Sequence, residues 1–225
     1  MPPCDGVKYT RIVASDGIGL GVVELGAGER GVLMLPEYQA SACQWAVEAT
    51  GLVSAGFHVL LLEYRCTIPS DCPSDTDRQS DLSLDARAGV AALRAAGATK
   101  VVIVGASAGG TLAVVAGAAS GLLVSGVIDL SGPGDVSYLY GTAQGRINSL
   151  AAAPRLLVPS LFVVSRDDPS TSVDEITAVY NAVLTKPKQL VVLPAEGGHG
   201  WDTLAYGGPE GNVQDTLYAF LRAND

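Results

Sequence analysis

Apolar positions come in short runs rich in Val, Ile and Leu, separated by alanine-rich stretches of helical period and by turns of Gly, Pro, Asp and Ser. Residues 7–14 and 18–25 flank Asp16-Gly17, a turn pair, and predict an antiparallel hairpin at a sheet edge. Residues 31–35 form a short buried run. A helix is expected over 41–55, ended by Gly56, and a further apolar strand over 58–63. A polar loop with Pro69 and Pro73 follows. Ser80 then opens an alanine-rich helix that stops at Gly97, and 100–104 is a strand of Lys, Val and Ile. Helix over 107–121 and strand over 124–130 come next. Further on, 161–164 is a strand, Ser172 with Glu175 makes a capping box for a helix to about Leu184, and 189–193 is the last strand. Pro209 suits the first turn of a final helix ending near Leu221. A hairpin followed by repeated strand-helix units predicts an α/β fold built on a mostly parallel, doubly wound sheet, with residues 1–225 forming one domain.

One stretch suggests something else. Residues 101–128 carry no charge and are long enough to cross a bilayer. Gly105, Gly109, Gly110, Gly117 and Gly121 interrupt the run, so a buried strand, a tight turn, a helix and a second buried strand explain it better than a membrane span. The 225 residues are 48% hydrophobic and 16% charged, which supplies a core and excludes disorder as the main state. Lys and Arg number 14 against 23 Asp and Glu, a net charge of −9 with no basic cluster, which argues against nucleic acid as a partner. The first fifteen residues lack the apolar block of a signal peptide. The four cysteines, Cys4, Cys43, Cys66 and Cys72, and only two histidines cannot assemble the usual zinc spacings, so neither metal nor cofactor is expected. Cys66 and Cys72 share one polar segment and are either free thiols or a small closed loop. A cytoplasmic location is favoured, with a secreted mature form as the alternative if the two are linked. Nothing in the chain indicates an oligomeric state.

In a doubly wound sheet, chemistry collects just beyond the carboxyl ends of the strands. After the strand at 100–104 stands Gly105-Ala106-Ser107-Ala108-Gly109, a G-x-S-x-G match that passes at once into a helix. Such a turn exposes the Ser hydroxyl above the sheet as a nucleophile. A hydroxyl needs a base to take its proton, normally a histidine. His58 begins a strand and is read as structural. His199 lies in the glycine-rich loop 195–201 after the last strand and is the candidate base. A carboxylate should orient that imidazole, and Asp167 and Asp168, which follow the strand at 161–164, can each serve.

With these residues in place, the chain from about Ile12 to Leu221 resembles an α/β-hydrolase, whose nucleophile, acid and histidine occur in that order. The resemblance implies the α/β-hydrolase fold without a cap domain, because 131–160 is too short to hold one. It makes Ser165 the turn residue and Asp168 the acid, with Asp167 in reserve. It also places the oxyanion hole at the backbone N–H of Ala108 and of Tyr38, the latter in Leu35-Pro36-Glu37-Tyr38-Gln39, where Pro36-Glu37 replaces the His-Gly usual in the family. Tyr138, Tyr140 and Trp201 flank the implied cleft as pocket walls. The implied activity is that of a small lidless serine esterase similar to the dienelactone-hydrolase group, acting on a small-molecule ester without cofactor, metal, nucleic acid or membrane. That group carries Cys in the elbow and this chain has Ser107. The alternatives are a thioesterase or acyltransferase on the same residues, or a catalytically idle binding protein of the same fold.

Overall fold

The computed structural model describes residues 8–141, 146–208 and 211–224. Eight strands form one sheet: β1 (Thr10–Val13), β2 (Gly19–Leu25), β3 (Arg30–Leu35), β4 (His58–Leu62), β5 (Lys100–Ala106), β6 (Gly126–Leu130), β7 (Ser160–Ser165) and β8 (Lys188–Leu193). Their order across the sheet is β1-β2-β4-β3-β5-β6-β7-β8. The β1–β2 and β2–β4 pairs are antiparallel, and all pairs from β4 through β3 to β8 are parallel. This is the α/β-hydrolase fold.

Every residue of β4, β6 and β7 is buried, which is why these strands are mostly Val, Leu, Ile and Phe, with the buried polar residues His58, Asp129, Ser160 and Ser165 among them. Alternate residues still serve opposite faces. Leu33 and Leu35 of β3 join one core cluster, and Val32 and Met34 join the other. The first cluster is covered by α3 (Leu82–Ala95), α4 (Ala108–Ser120) and α6 (Val173–Ala182), through Leu93, Leu112 and Ile176 among others. The second is covered by α1 (Ala46–Ser54) and α7 (Val213–Ala223), through Leu52, Leu217 and Leu221. Each such leucine contributes about 1.5–3 kcal/mol by leaving water.

The uncharged stretch is β5, α4, a short 3-10 turn and β6, and among the described residues no helix is long and apolar enough to cross a membrane. Helix α4 is apolar nearly all round because it lies buried against the sheet. The polar loop after β4 contains one short helix, α2 (Thr76–Gln79). The loop is anchored by Arg65, which donates to Asp85 of α3 at 2.6 and 2.8 Å and to Asp16 of the first hairpin at 2.9 Å. Burial lifts the Asp85 carboxyl to about 6 despite the adjoining guanidinium. Cys66 and Cys72 are disulfide-linked within this loop.

Several expected boundaries move: the helix expected over 41–55 opens as the 3-10 turn Ala42–Trp45, the first strand is shorter than 7–14, and the helix expected to about Leu184 ends at Ala182. The final helix begins at Val213, where the Asn212 side chain caps the Gln214 N–H at 2.8 Å, so the capping signal is Asn212. Pro209, expected in that first turn, lies outside the described residues. The strand expected from residue 124 starts at Gly126, because Gly121–Leu123 winds into the 3-10 turn that closes α4. Between β6 and β7 the described residues hold only 3-10 turns and the one-turn helix α5 (Ser149–Ala152), and no cap domain is present among them.

Candidate active site

Strand β5 ends at Ala106 and α4 begins at Ala108, so Ser107 alone makes the turn. It adopts φ 51° and ψ −122°, a conformation that costs a residue with a Cβ roughly 1–3 kcal/mol. Two glycines let the backbones close around it. A Cβ at Gly105 would stand 2.0 Å from the Gly109 carbonyl oxygen, and one at Gly109 would stand 2.4 Å from that of Leu35. The strained turn is held by its own backbone, with the Ser107 N–H donating to Leu130 O at 2.8 Å and the Gly110 N–H donating to Ser107 O at 2.8 Å. The Ser107 side chain is therefore presented at the carboxyl edge of the sheet.

His199 arrives from the loop after β8. Gly197 allows that loop to fold under itself, since a Cβ there would stand 2.6 Å from the Leu193 Cβ, and Gly198 and Gly200 take φ 77° and 51°. The Ser165 hydroxyl at the end of β7 donates to the Gly198 carbonyl and pins the loop. Asp168 lies on the turn after β7, its side chain fully buried, and its Oδ1 accepts the N–H groups of Ser170 and Thr171 at 2.9 and 2.8 Å.

These three residues meet. His199 Nδ1 is 2.7 and 2.9 Å from the two oxygens of Asp168, and His199 Nε2 is 2.8 Å from Ser107 Oγ. A carboxylate accepts only, so it selects the tautomer with the proton on Nδ1 and leaves Nε2 free to accept from the hydroxyl. Burial pushes the Asp168 carboxyl up, but the His199 hydrogen bond and the two backbone donors outweigh it and hold it below 3.8. The Ser131 hydroxyl faces the same carboxylate outside good hydrogen-bond geometry and adds to that effect. Burial lowers the His199 imidazole, and the bond and charge of Asp168, with the charges of Glu37 and Asp202, raise it above 6.5. Asp167 is exposed beside this arrangement.

The loop after β3 lies against the elbow through the close approach at Gly109. Its Tyr64-anchored Pro36 carbonyl (3.0 Å) precedes Glu37 and Tyr38, and Gln39 turns with φ 60°. Ala108, the first residue of α4, has a backbone N–H with no intrahelical acceptor. The rings of Tyr38 and Tyr140 meet edge to face with centroids 5.2 Å apart. Tyr138, on the same turn as Tyr140, is 71% exposed. Trp201 donates its backbone N–H to Glu37 Oε1 at 2.8 Å, and the Glu37 N–H donates to Gln44 Oε1 at 3.2 Å. Gln44 carried no signal in the chain, because its partner lies on a different loop.

Among the described residues no group of three or more His, Cys, Asp and Glu side chains could hold a metal ion. A hollow of about 650 Å³ lined by Lys188, Thr216 and Phe220 sits at the amino end of β8 and contains none of the residues above, so volume does not locate the chemistry.

No family sequence model matches the chain, and a search of curated proteins finds no match. Solved structures are similar. An esterase of Pyrococcus furiosus superposes with a TM-score of 0.80 at 18% identity, covering 97% of this chain and 91% of that one. An esterase of Exiguobacterium antarcticum gives 0.74 at 15% identity, over 96% and 100% of the two chains. A Rhodococcus esterase gives 0.72 at 16%, over 96% and 99%.

Proposed function

We propose that the protein is a serine hydrolase that cleaves small carboxylic esters through an acyl-enzyme. The observation that carries this reading is the single imidazole bridging Ser107 Oγ at 2.8 Å and Asp168 at 2.7 Å. As the Ser107 oxygen bonds to the ester carbonyl carbon, His199 Nε2 takes the hydroxyl proton, and the buried Asp168 carboxylate stabilises the imidazolium that results. The carbonyl oxygen becomes an oxyanion, for which the N–H groups of Ala108 and Tyr38 are the donors. The imidazolium then protonates the leaving alkoxide, the C–O bond breaks, and water repeats the sequence to release the acid and restore Ser107. The esterase names of the structural relatives favour an ester substrate, and the short β6–β7 connection favours dissolved substrates with short acyl chains. An uncovered cleft leaves a long chain wet, at about 0.8 kcal/mol for each CH₂.

A fluorophosphonate probe should label the wild type at Ser107 and leave Ser107→Ala unlabelled. Absence of labelling in folded wild-type protein would favour an idle member of the fold. Among labelled outcomes, acetyl and butyryl esters should turn over faster than octanoyl and palmitoyl ones without a jump on substrate aggregation. Matched oxygen and thio esters decide between esterase and thioesterase.

A further inference from the structure

Glu37 occupies a place that the triad does not explain. It stands between Pro36 and the oxyanion residue Tyr38, yet its carboxylate leaves its own loop and reaches the loop of His199, accepting the Trp201 N–H at 2.8 Å across 164 positions of sequence. That N–H belongs to the first turn of the 3-10 helix Gly200–Ala205, where donors lack partners within the helix. Gly200 makes room for the carboxylate. A Cβ at Gly200 would lie 2.1 Å from Glu37 Oε1 and 3.4 Å from the Ser107 Cβ, so the carboxylate, the glycine and the nucleophile are packed around one point. On its other side the Glu37 N–H is held by Gln44 Oε1 at 3.2 Å, which fixes the backbone from which the side chain reaches.

We propose that Glu37 is a positioning residue that ties the oxyanion loop to the His199 loop, so that the base and the Tyr38 N–H keep one register over Ser107. The inference rests on the serine-hydrolase reading and extends it. Oxyanion donors act by standing where charge will develop, and a shift of about 1 Å costs on the order of 10²-fold. In this chain the two loops that must agree come from opposite halves of the sequence, and the Glu37 carboxylate joins them directly. The same carboxylate acts on the imidazole by charge. The groups facing His199 are Asp168, Glu37 and Asp202, all acidic, and each raises it.

Three variants separate contact from charge. Glu37→Gln keeps an oxygen for the Trp201 N–H and loses the charge. Glu37→Asp keeps the charge and is one methylene too short for the contact, and Glu37→Ala loses both. On a dissolved acetate ester, the Ala and Asp variants should lose about 10- to 10²-fold in kcat with little change in KM. Gln should recover most of that loss while its acid limb moves down by roughly half to one pH unit. Unchanged kcat in Glu37→Ala, with an unmoved acid limb in Glu37→Gln, would reduce Glu37 to a cap on a surface turn and overturn the proposal. Should the Ala variant fail to fold, the Gln and Asp pair still decides. NMR titration of the His199 ring in wild type and Glu37→Gln reads the same coupling without turnover. Wild-type protein that neither hydrolyses esters nor takes the fluorophosphonate sinks the parent reading, while labelled, active wild type whose Glu37→Ala and Glu37→Asp variants keep full kcat, with an imidazole that ignores the Gln substitution, sinks this one.

Discussion

The two histidines of the chain invite comparison, because each holds a carboxylate at the same distance. His58 Nε2 lies 2.7 Å from Glu24 Oε1, and His199 Nδ1 lies 2.7 Å from Asp168 Oδ1. His58 opens β4 and so sits at the amino edge of the parallel strands, whereas His199 follows β8 at their carboxyl edge. The His58 side chain is 2% exposed, with a ring nitrogen buried and unpartnered, while the Glu24 carboxylate is the half-open member of the pair. At His199 the exposure is reversed, with the carboxylate fully buried and the ring 19% exposed. An imidazole-carboxylate pair alone therefore does not tell the two histidines apart. The second ring nitrogen decides: at His199 it meets a hydroxyl, and at His58 it meets nothing.

The largest effect that could break this contrast is loss of the hydroxyl or of its base. Ser107→Ala and His199→Ala should each lower ester turnover by on the order of 10⁵–10⁶-fold, and His58→Gln by less than about twofold. A comparable loss from His58→Gln in folded protein would erase the distinction. Next comes the carboxylate. Asp168→Asn should cost about 10⁴-fold by favouring the wrong tautomer, against less than about twofold for Asp167→Asn; steady-state kinetics on both variants tests the ranking.

The pH response is smaller and has two signs. His199 must be neutral to act as base, so kcat/KM should rise with pH through an apparent pKa above 6.5, the direction in which Asp168, Glu37 and Asp202 push it. Its contribution to stability runs the other way, fully present below 6.5 and lost as pH rises through the raised folded-state value. Asp168 is held below 3.8, so its contribution is present above 3.8 and is lost as pH falls through the lowered value. A kinetic limb at or below 6.5 would refute the first statement, and paired melting curves of wild type and Asp168→Asn check the others.

Smallest in catalytic terms is the structural pair. His58→Leu should change stability by no more than about 1 kcal/mol with kcat little changed, since the half-open Glu24 carboxylate can turn to water and no reacting atom is touched. Denaturant unfolding of His58→Leu beside Glu24→Gln measures it.

Most of this frame is legible along the chain. Strands buried on both faces announce themselves as apolar runs, and the elbow announces itself because only Gly fits at 105 and 109. Strand order is not legible in the same way, since the antiparallel pairing of β2 with β4 and the insertion of β4 beside β3 depend on contacts between distant segments. Arg65 gave no sign either, because its partners Asp16 and Asp85 are far away in sequence and converge only once the hairpin and α3 have docked. Glu37 was visible as a departure from a family pattern, but its partner at Trp201 was not, for the same reason. Choosing Asp168 over Asp167 needed the family pattern; in the structure the Asp168 carboxylate meets His199 and accepts the N–H groups of Ser170 and Thr171.

The order in which the site's parts are synthesised has a consequence for the living cell. The hydroxyl at 107 and the imidazole at 199 are 92 positions apart, and a ribosome adding about 5–20 residues per second needs roughly 5–20 s to pass from one to the other. On the proposed mechanism the nascent chain carries its nucleophile unarmed for that whole interval. The arming residue emerges with the last strand-to-helix connection, so reactivity toward esters begins only when the sheet is complete.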